Sequence, residues 1–256
     1  MEKDEIYASL NRAYFSEDMH ERVTIDKLPQ LLRSAAVFVD IGASLGQYTY
    51  NASRCMNGGR IIAVEPDSVR FERLVQNCRQ WGAETGNTIE PWQAAICDLD
   101  GTVTFHITNS PVSGGLFKHA TSEAKKQKEA VVWEEITVPS YRLDTLLTEE
   151  LPDGTQRFTV PDLVKIDVEG SESRVLAGCP CLLAKGKTKF LIEIHKWRDP
   201  GVKVLEQDVF KFMRSHGYYG MNIGGRILFV KRTGRSKVAW LIGWPIRKSV
   251  ALFKMV

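Results

Sequence analysis

No aspartate or glutamate follows Asp208, so the last 48 residues of the 256-residue chain carry ten Lys or Arg and no acid. Cysteine is scarce and odd in number, at positions 55, 78, 97, 179 and 181. Such irregular spacing does not make a disulfide framework, and Cys179-Pro-Cys181 lacks the second pair that a zinc knuckle needs. Buried free thiols in a reducing, cytoplasmic setting are therefore expected. The charged start Met1-Glu-Lys-Asp-Glu5 is unlike a signal peptide, and no apolar run approaches the ~20 residues of a membrane span. Hydrophobic residues make up 43% of the chain, too many for disorder, and 20 glycines and 10 prolines without a period exclude a collagen-like array. No solenoid repeat is present.

The net charge of +3 is too small to imply a nucleic-acid partner, yet it hides a division. Residues 231–256 alone contribute +7, leaving −4 on residues 1–230. The tail interleaves its basic residues with Trp240, Leu241, Ile242, Trp244, Ile246, Val250, Leu252 and Phe253. That composition suits peripheral contact with an anionic membrane; packing on the body or a homodimer contact are the alternatives.

Three parts follow from the texture: a helical cap or lid at 1–34, broken near Pro29; a body at 35–230; and the tail at 231–256. From Ala35 onward short apolar runs alternate with helical-period segments, as βαβ units of a parallel sheet do. Strands are predicted at Val37–Ile41, Arg60–Glu65, Thr88–Ile96 (one strand or a pair), Thr102–Ile107 (an antiparallel addition), Val131–Val138, Asp162–Val168, Lys189–His195, Tyr218–Met221 and Arg226–Val230. Helices are predicted at Gln47–Met56, Asp67–Trp81 with Gly82 as its stop, Leu143–Glu150, Glu172–Gly178 and Val202–Ser215. The polar stretch 109–130 reads as a mobile loop.

The informative segment is Val37-Phe-Val-Asp40-Ile-Gly42-Ala-Ser44-Leu-Gly46-Gln-Tyr-Thr49, a strand, a glycine turn and a helix start. Backbone N–H groups and a positive helix end can meet a ligand there. As a dinucleotide fingerprint it fails, because Gly42 and Gly46 miss the G-x-G-x-x-G spacing and Ser44 takes the second glycine's place. As a hydrolase nucleophile elbow, Gly42-Ala-Ser44-Leu-Gly46 spells G-x-S-x-G, with Asp167 and His195 in triad order. Too few strands precede Ser44 for that fold. The flanks fit a third ligand. Asp40 at one strand end can meet a cationic amine, and Glu65 at the next can accept both hydroxyls of a ribose. S-adenosylmethionine carries both groups.

The chain resembles the FkbM family of class I methyltransferases. The matching blocks are Val39 to Thr49, Ala63-Val-Glu65-Pro66, Ala94-Ala-Ile-Cys-Asp98 with Gly101, Leu143-Asp144, Val164-Lys165-Ile-Asp167-Val-Glu169-Gly170-Ser-Glu172, and Leu191-Ile-Glu193-Ile-His195. The resemblance implies an α/β fold: a Rossmann-like, doubly wound, seven-stranded sheet, mostly parallel with an antiparallel last strand. It also implies S-adenosyl-L-methionine over the carboxyl ends of the strands and O-methylation of sugars, polyketides and related hydroxylated metabolites. Ser44 departs from the family, which often has Asn there.

On this reading Asp40 holds the methionine amine, directly or through water, Gly42, Ser44 and Gly46 shape the turn, and Glu65 binds the ribose. The resemblance places adenine near Ala95 to Asp98, with Asp98 able to accept its exocyclic amine. Asp167 and Glu169, after the fourth parallel strand, can orient an acceptor hydroxyl, take its proton or help hold a divalent ion; no metal-binding set is assigned. The pair can equally end the strand and cap the next helix through Ser171 and Glu172. His195 is a candidate base as a neutral imidazole, with Glu193 able to orient it or to contact substrate. The acceptor is a small molecule, a glycan or lipid-linked. The competing activities are N-methylation of a sugar amine or protein side chain, and a non-catalytic module that binds the cofactor to regulate a partner.

Overall fold

The computed structural model describes residues 19–108, 114–115, 133–150, 154, 156–195 and 206–231. Residues 1–18 of the expected cap, nearly all of the 109–130 loop and the tail beyond Lys231 lie outside them.

The main sheet uses β1 (Val37–Ile41), β2 (Arg60–Val64), β3 (Thr88–Trp92), β10 (Leu163–Ile166), β11 (Lys189–Ile192), β12 (Tyr218–Ile223) and β13 (Arg226–Lys231). Its order is β12-β13-β11-β10-β1-β2-β3, and β13 alone runs antiparallel to its neighbours. The expected Rossmann-like architecture is therefore the observed one.

Alternate residues of these strands feed two cores, as the period of two requires. Val39, Ile62, Val164 and Phe190 pack with Leu176, Leu182 and Met213 on one face, whereas Phe38, Ile61, Leu163 and Leu191 pack with Leu31, Tyr48 and Ala52 on the other. The first of these layers holds α6 (Glu172–Ala177), α7 (Pro180–Lys185) and α8 (Glu206–Ser215); the second holds α2 (Leu28–Leu32) and α3 (Gln47–Cys55). Within the expected cap, α1 (Met19–Ile25) and α2 are separate helices, and Pro29 lies in the first turn of α2. A proline there lacks only an N–H that would have no helical partner, so it opens the helix instead of breaking it.

Four further expectations change. Helix α4 (Ser68–Thr85) passes through Gly82 and ends at Gly86, whose φ is +71°. A Cβ at Gly82 would stand 3.3 Å from the Asn87 carbonyl, so close chain approach accounts for that glycine. The strand after β3 leaves the main sheet. β4 (Ala95–Ile96), β5 (Gly101–Thr108), β6 (Gly114–Gly115) and β7 (Trp133–Tyr141) form a second, four-stranded sheet. The helix predicted at Leu143–Glu150 is one turn, α5 (Leu143–Leu146), followed by the β8 (Thr148–Glu150) and β9 (Gln156–Phe158) hairpin. Of the Cys179-Pro-Cys181 thiols only Cys179 is buried, because Pro180 opens α7 and leaves Cys181 exposed.

Candidate active site

The parallel register aligns Val64, Ile41, Ile166 and Ile192 across the sheet. The next residue of each strand is Glu65, Gly42, Asp167 or Glu193, so all four fall on the carboxyl edge. Ile227 of β13 pairs with Ile192 in the opposite sense, which brings Arg226 to the same edge. Strand order reverses between β1 and β10, and ligands bind outside the strand ends at such a switch point. A cavity of about 370 Å³ opens there.

At the turn after β1, a Cβ on Gly42 would stand 1.8 Å from the Asp167 carbonyl oxygen, so only glycine admits this approach. Ser44 follows with φ +52°; it and Glu169, at φ +50°, are the only non-glycine residues in the left-handed region among the described residues. Both line the cavity. Such strained backbone is concentrated at functional sites, and among non-glycine residues Asn tolerates it best. Gly46, at φ +95°, begins α3 against Trp81 and Leu74.

Glu65 is buried on the cavity wall. Its Oε2 accepts the Ser44 N–H at 2.8 Å and its Oε1 the Asp67 N–H at 3.0 Å. Each oxygen keeps a lone pair free for a further donor. Burial pushes the Glu65 carboxyl above its usual range, opposed by Arg70. Beside it Val64, Pro66, Ala94, Ala95, Ile96 and Phe105 give an apolar wall of the kind a nucleobase fills.

Two cofactor assignments are displaced. Asp98 points away, is half exposed and pairs with Arg174 at 2.7 Å, so it is absent from the cavity lining while Ala95 and Ile96 remain in it. Asp40 is wholly buried beneath the floor. Its Oδ2 accepts from Thr49 at 2.8 Å, and its Oδ1 pairs with Lys165 at 3.1 Å, Asp40 and Lys165 being register partners on β1 and β10. It is Lys165 that lines the cavity, donating to the Gly42 carbonyl at 2.7 Å and standing 3.7 Å from Asp167. A lysine inside the apolar run Leu163-Val-Lys-Ile166 was the signal available in the sequence, since a buried cation needs a partner.

Across the switch point stand Asp167, Glu169, Glu193, His195 and Arg226. The His195 Nδ1 donates to Glu172 Oε1 at 2.7 Å, and its Nε2 faces Glu169 at 3.5 Å, Asp167 at 3.8 Å and Glu193 at 4.0 Å. Burial alone would lower the imidazole pKa, but the Glu172 bond and the facing carboxylates push it up to about 10. The surrounding carboxylates thus favour the protonated ring over the neutral imidazole expected from the sequence. Burial would raise Asp167, but Lys165 and Arg226 hold it well below the carboxylate range. Burial raises Glu169 to about 8. Ser171 makes no side-chain cap on α6; the Gly170 N–H bonds Glu172 instead.

Arg226 had no sequence signal. It pairs with Asp167 at 3.3 Å, with Glu193 and with Glu21 at 2.6 Å. Glu21, on α1, also accepts from the Tyr48 hydroxyl at 2.8 Å, and the Tyr48 ring lies against Lys165 and Arg226, about 5 Å from each.

The sheet and its edge define a Rossmann-like enzyme of the kind that binds a nucleoside-bearing cofactor at the switch point. The Methyltransferase FkbM domain matches residues 40–219, and the chain belongs to that family of methyltransferases, with S-adenosylmethionine as methyl donor. Hexuronic acid methyltransferase AglP of Haloferax volcanii is 25% identical over 164 residues, which cover 64% of this chain and 58% of that protein. Methyltransferase sdnD of Sordaria araneosa is 29% identical over 161 residues, covering 57% and 61%. The chain spans about three fifths of the length of these curated relatives. A solved methyltransferase FkbM from Methylobacillus flagellatus KT is similar at 16% identity and TM-score 0.48, covering 76% of this chain and 43% of that one. Among the described residues no helix is long and apolar enough to cross a membrane.

Proposed function

We propose that the chain methylates a hydroxyl of a sugar, glycan, lipid-linked or polyketide-type acceptor. The observation that carries this reading is one cavity lined by Glu65 and, beyond β1 and β10, by Asp167, Glu169 and His195. At about 4.8 Å per strand, β2 and β11 lie roughly 14 Å apart, room for an extended nucleoside with an amino-acid tail.

S-adenosylmethionine, when bound, supplies an electrophilic methyl group. Glu65 accepts the ribose hydroxyls with its two remaining lone pairs, and the Ala94–Ile96 wall takes the adenine. Asp40 acts through Lys165, fixing the floor of the turn. At the acceptor end, the His195 imidazolium and the Asp167 carboxylate orient the hydroxyl, and holding it in line supplies most of the rate. Glu169, whose carboxyl ionises near pH 8, takes the proton late. The 25% identity to a hexuronic acid methyltransferase supports a sugar acceptor.

Incubation with methyl-labelled cofactor and a metabolite, glycan and lipid extract tests this. A labelled methyl ether is the expected product. Label on nitrogen overturns the hydroxyl assignment, and cofactor binding with no labelled product overturns catalysis.

A further inference from the structure

Three carboxylate oxygens from three residues gather around the His195 Nε2 at 3.5, 3.8 and 4.0 Å. Those separations exceed the hydrogen-bond range, yet two atoms bound at about 2.1 Å to one ion stand up to about 4.2 Å apart. Ligand atoms of Asp167, Glu193 and His195 lie within 4.8 Å of one another, so closing on one ion takes a side-chain movement of a few tenths of an ångström, about 0.6 Å at most. Each acid also divides its oxygens. Asp167 Oδ2 and Glu193 Oε2 are held by Arg226, while Asp167 Oδ1 and Glu193 Oε1 face the imidazole. The other ring nitrogen of His195 is fixed by Glu172. Outer partners that orient every ligand atom in this way are what metal sites require.

A second observation comes from the turn beside that cluster. Ser171, 1% exposed, lines the same cavity and has a hydroxyl with no hydrogen-bond partner. The adjoining Glu172, 0% exposed, has an Oε2 without one. Buried polar atoms are satisfied in folded proteins, and the water shell of an ion supplies such donors.

We infer that Asp167, Glu193 and His195 bind a divalent cation that displaces the proton from the His195 Nε2, Mn²⁺ before Mg²⁺ because one ligand is an imidazole. Its remaining positions open to the cavity and suit two neighbouring acceptor oxygens, as in a vicinal diol or a hydroxy acid. An acidic acceptor is then drawn to an edge whose own acids would repel it. The cation site stands on its own geometry; its use in holding an acceptor rests on the methyl-transfer reading.

The test uses the full chain, stripped with a chelator and titrated with Mn²⁺ alone. One Mn²⁺ per chain is expected, weakened at least tenfold in Glu193→Gln, with the ring signals of His195 in the wild type broadening before those of His106 and His216. The wild-type spectrum decides even where the variant does not fold. Equal broadening of all histidines, or binding unchanged in a folded Glu193→Gln, overturns the cation site. Calorimetry of S-adenosylmethionine on the same sample separates the two readings: intact cofactor binding without Mn²⁺ binding removes only the cation, whereas loss of cofactor binding removes the methyl-transfer reading.

Discussion

The two ends of the cavity are built on opposite plans. Around Gly42, Ser44 and Glu65 the ligand-facing groups are backbone and one carboxylate, held by short-range hydrogen bonds. Around His195 they are charged side chains drawn from α1, β10, β11, β13 and their turns, each holding another in place. A backbone cradle suits a ligand of fixed shape, and a charge network can be retuned without altering the turn; on the proposed reading these are the donor and acceptor ends.

The largest effect should come where the two plans meet. Lys165→Met leaves Asp40 buried without its cation and should destabilise the fold by about 3–5 kcal/mol, read by urea melting. A loss under about 1 kcal/mol would mean that the two ends are not joined through this pair.

Next comes Glu169→Gln at the acceptor end. A base must be deprotonated to act, so wild-type turnover should rise with pH through about 8, the carboxyl having been raised by burial. The variant should lose that rise and about 10²-fold in turnover, with cofactor affinity unchanged by calorimetry. A rise centred near 6.5 in the wild type would return the proton to a histidine.

Glu65→Gln should divide the other way. It should weaken S-adenosylmethionine by roughly ten- to a hundredfold, about 1.4–2.8 kcal/mol, in a calorimetric titration. Unaltered affinity would remove the ribose assignment. The smallest effect belongs outside both ends: Arg54→Ala, which breaks an exposed pair with Glu84, should stay within about 0.5 kcal/mol in melting and leave both ligand readouts alone.

What could be read in advance follows the same division. Val37–Ile41, the glycine turn and Glu65 are neighbours in the chain, so a strand, a turn and an acid place themselves. Asp167, Glu169 and His195 were also legible, because each ends or follows a parallel strand. Arg226 was hidden, since only the antiparallel pairing of β13 carries it to this edge, and Glu21 reaches it from 205 positions away. The surroundings of His195 were hidden for a related reason: four carboxylates surround the ring only once the chain has folded. Asp98 was assigned on segment position, which the fold honours for Ala95 and Ile96 but not for a side chain that finds Arg174 outside.

Lys165 touches the Gly42 carbonyl and stands within ion-pair distance of Asp167. One ammonium group thus bridges the donor turn and the acceptor acid, so a shift of the turn on donor binding changes the field at Asp167. On the proposed assignment of donor and acceptor ends, a coupling of this kind would act on both affinities by the same factor.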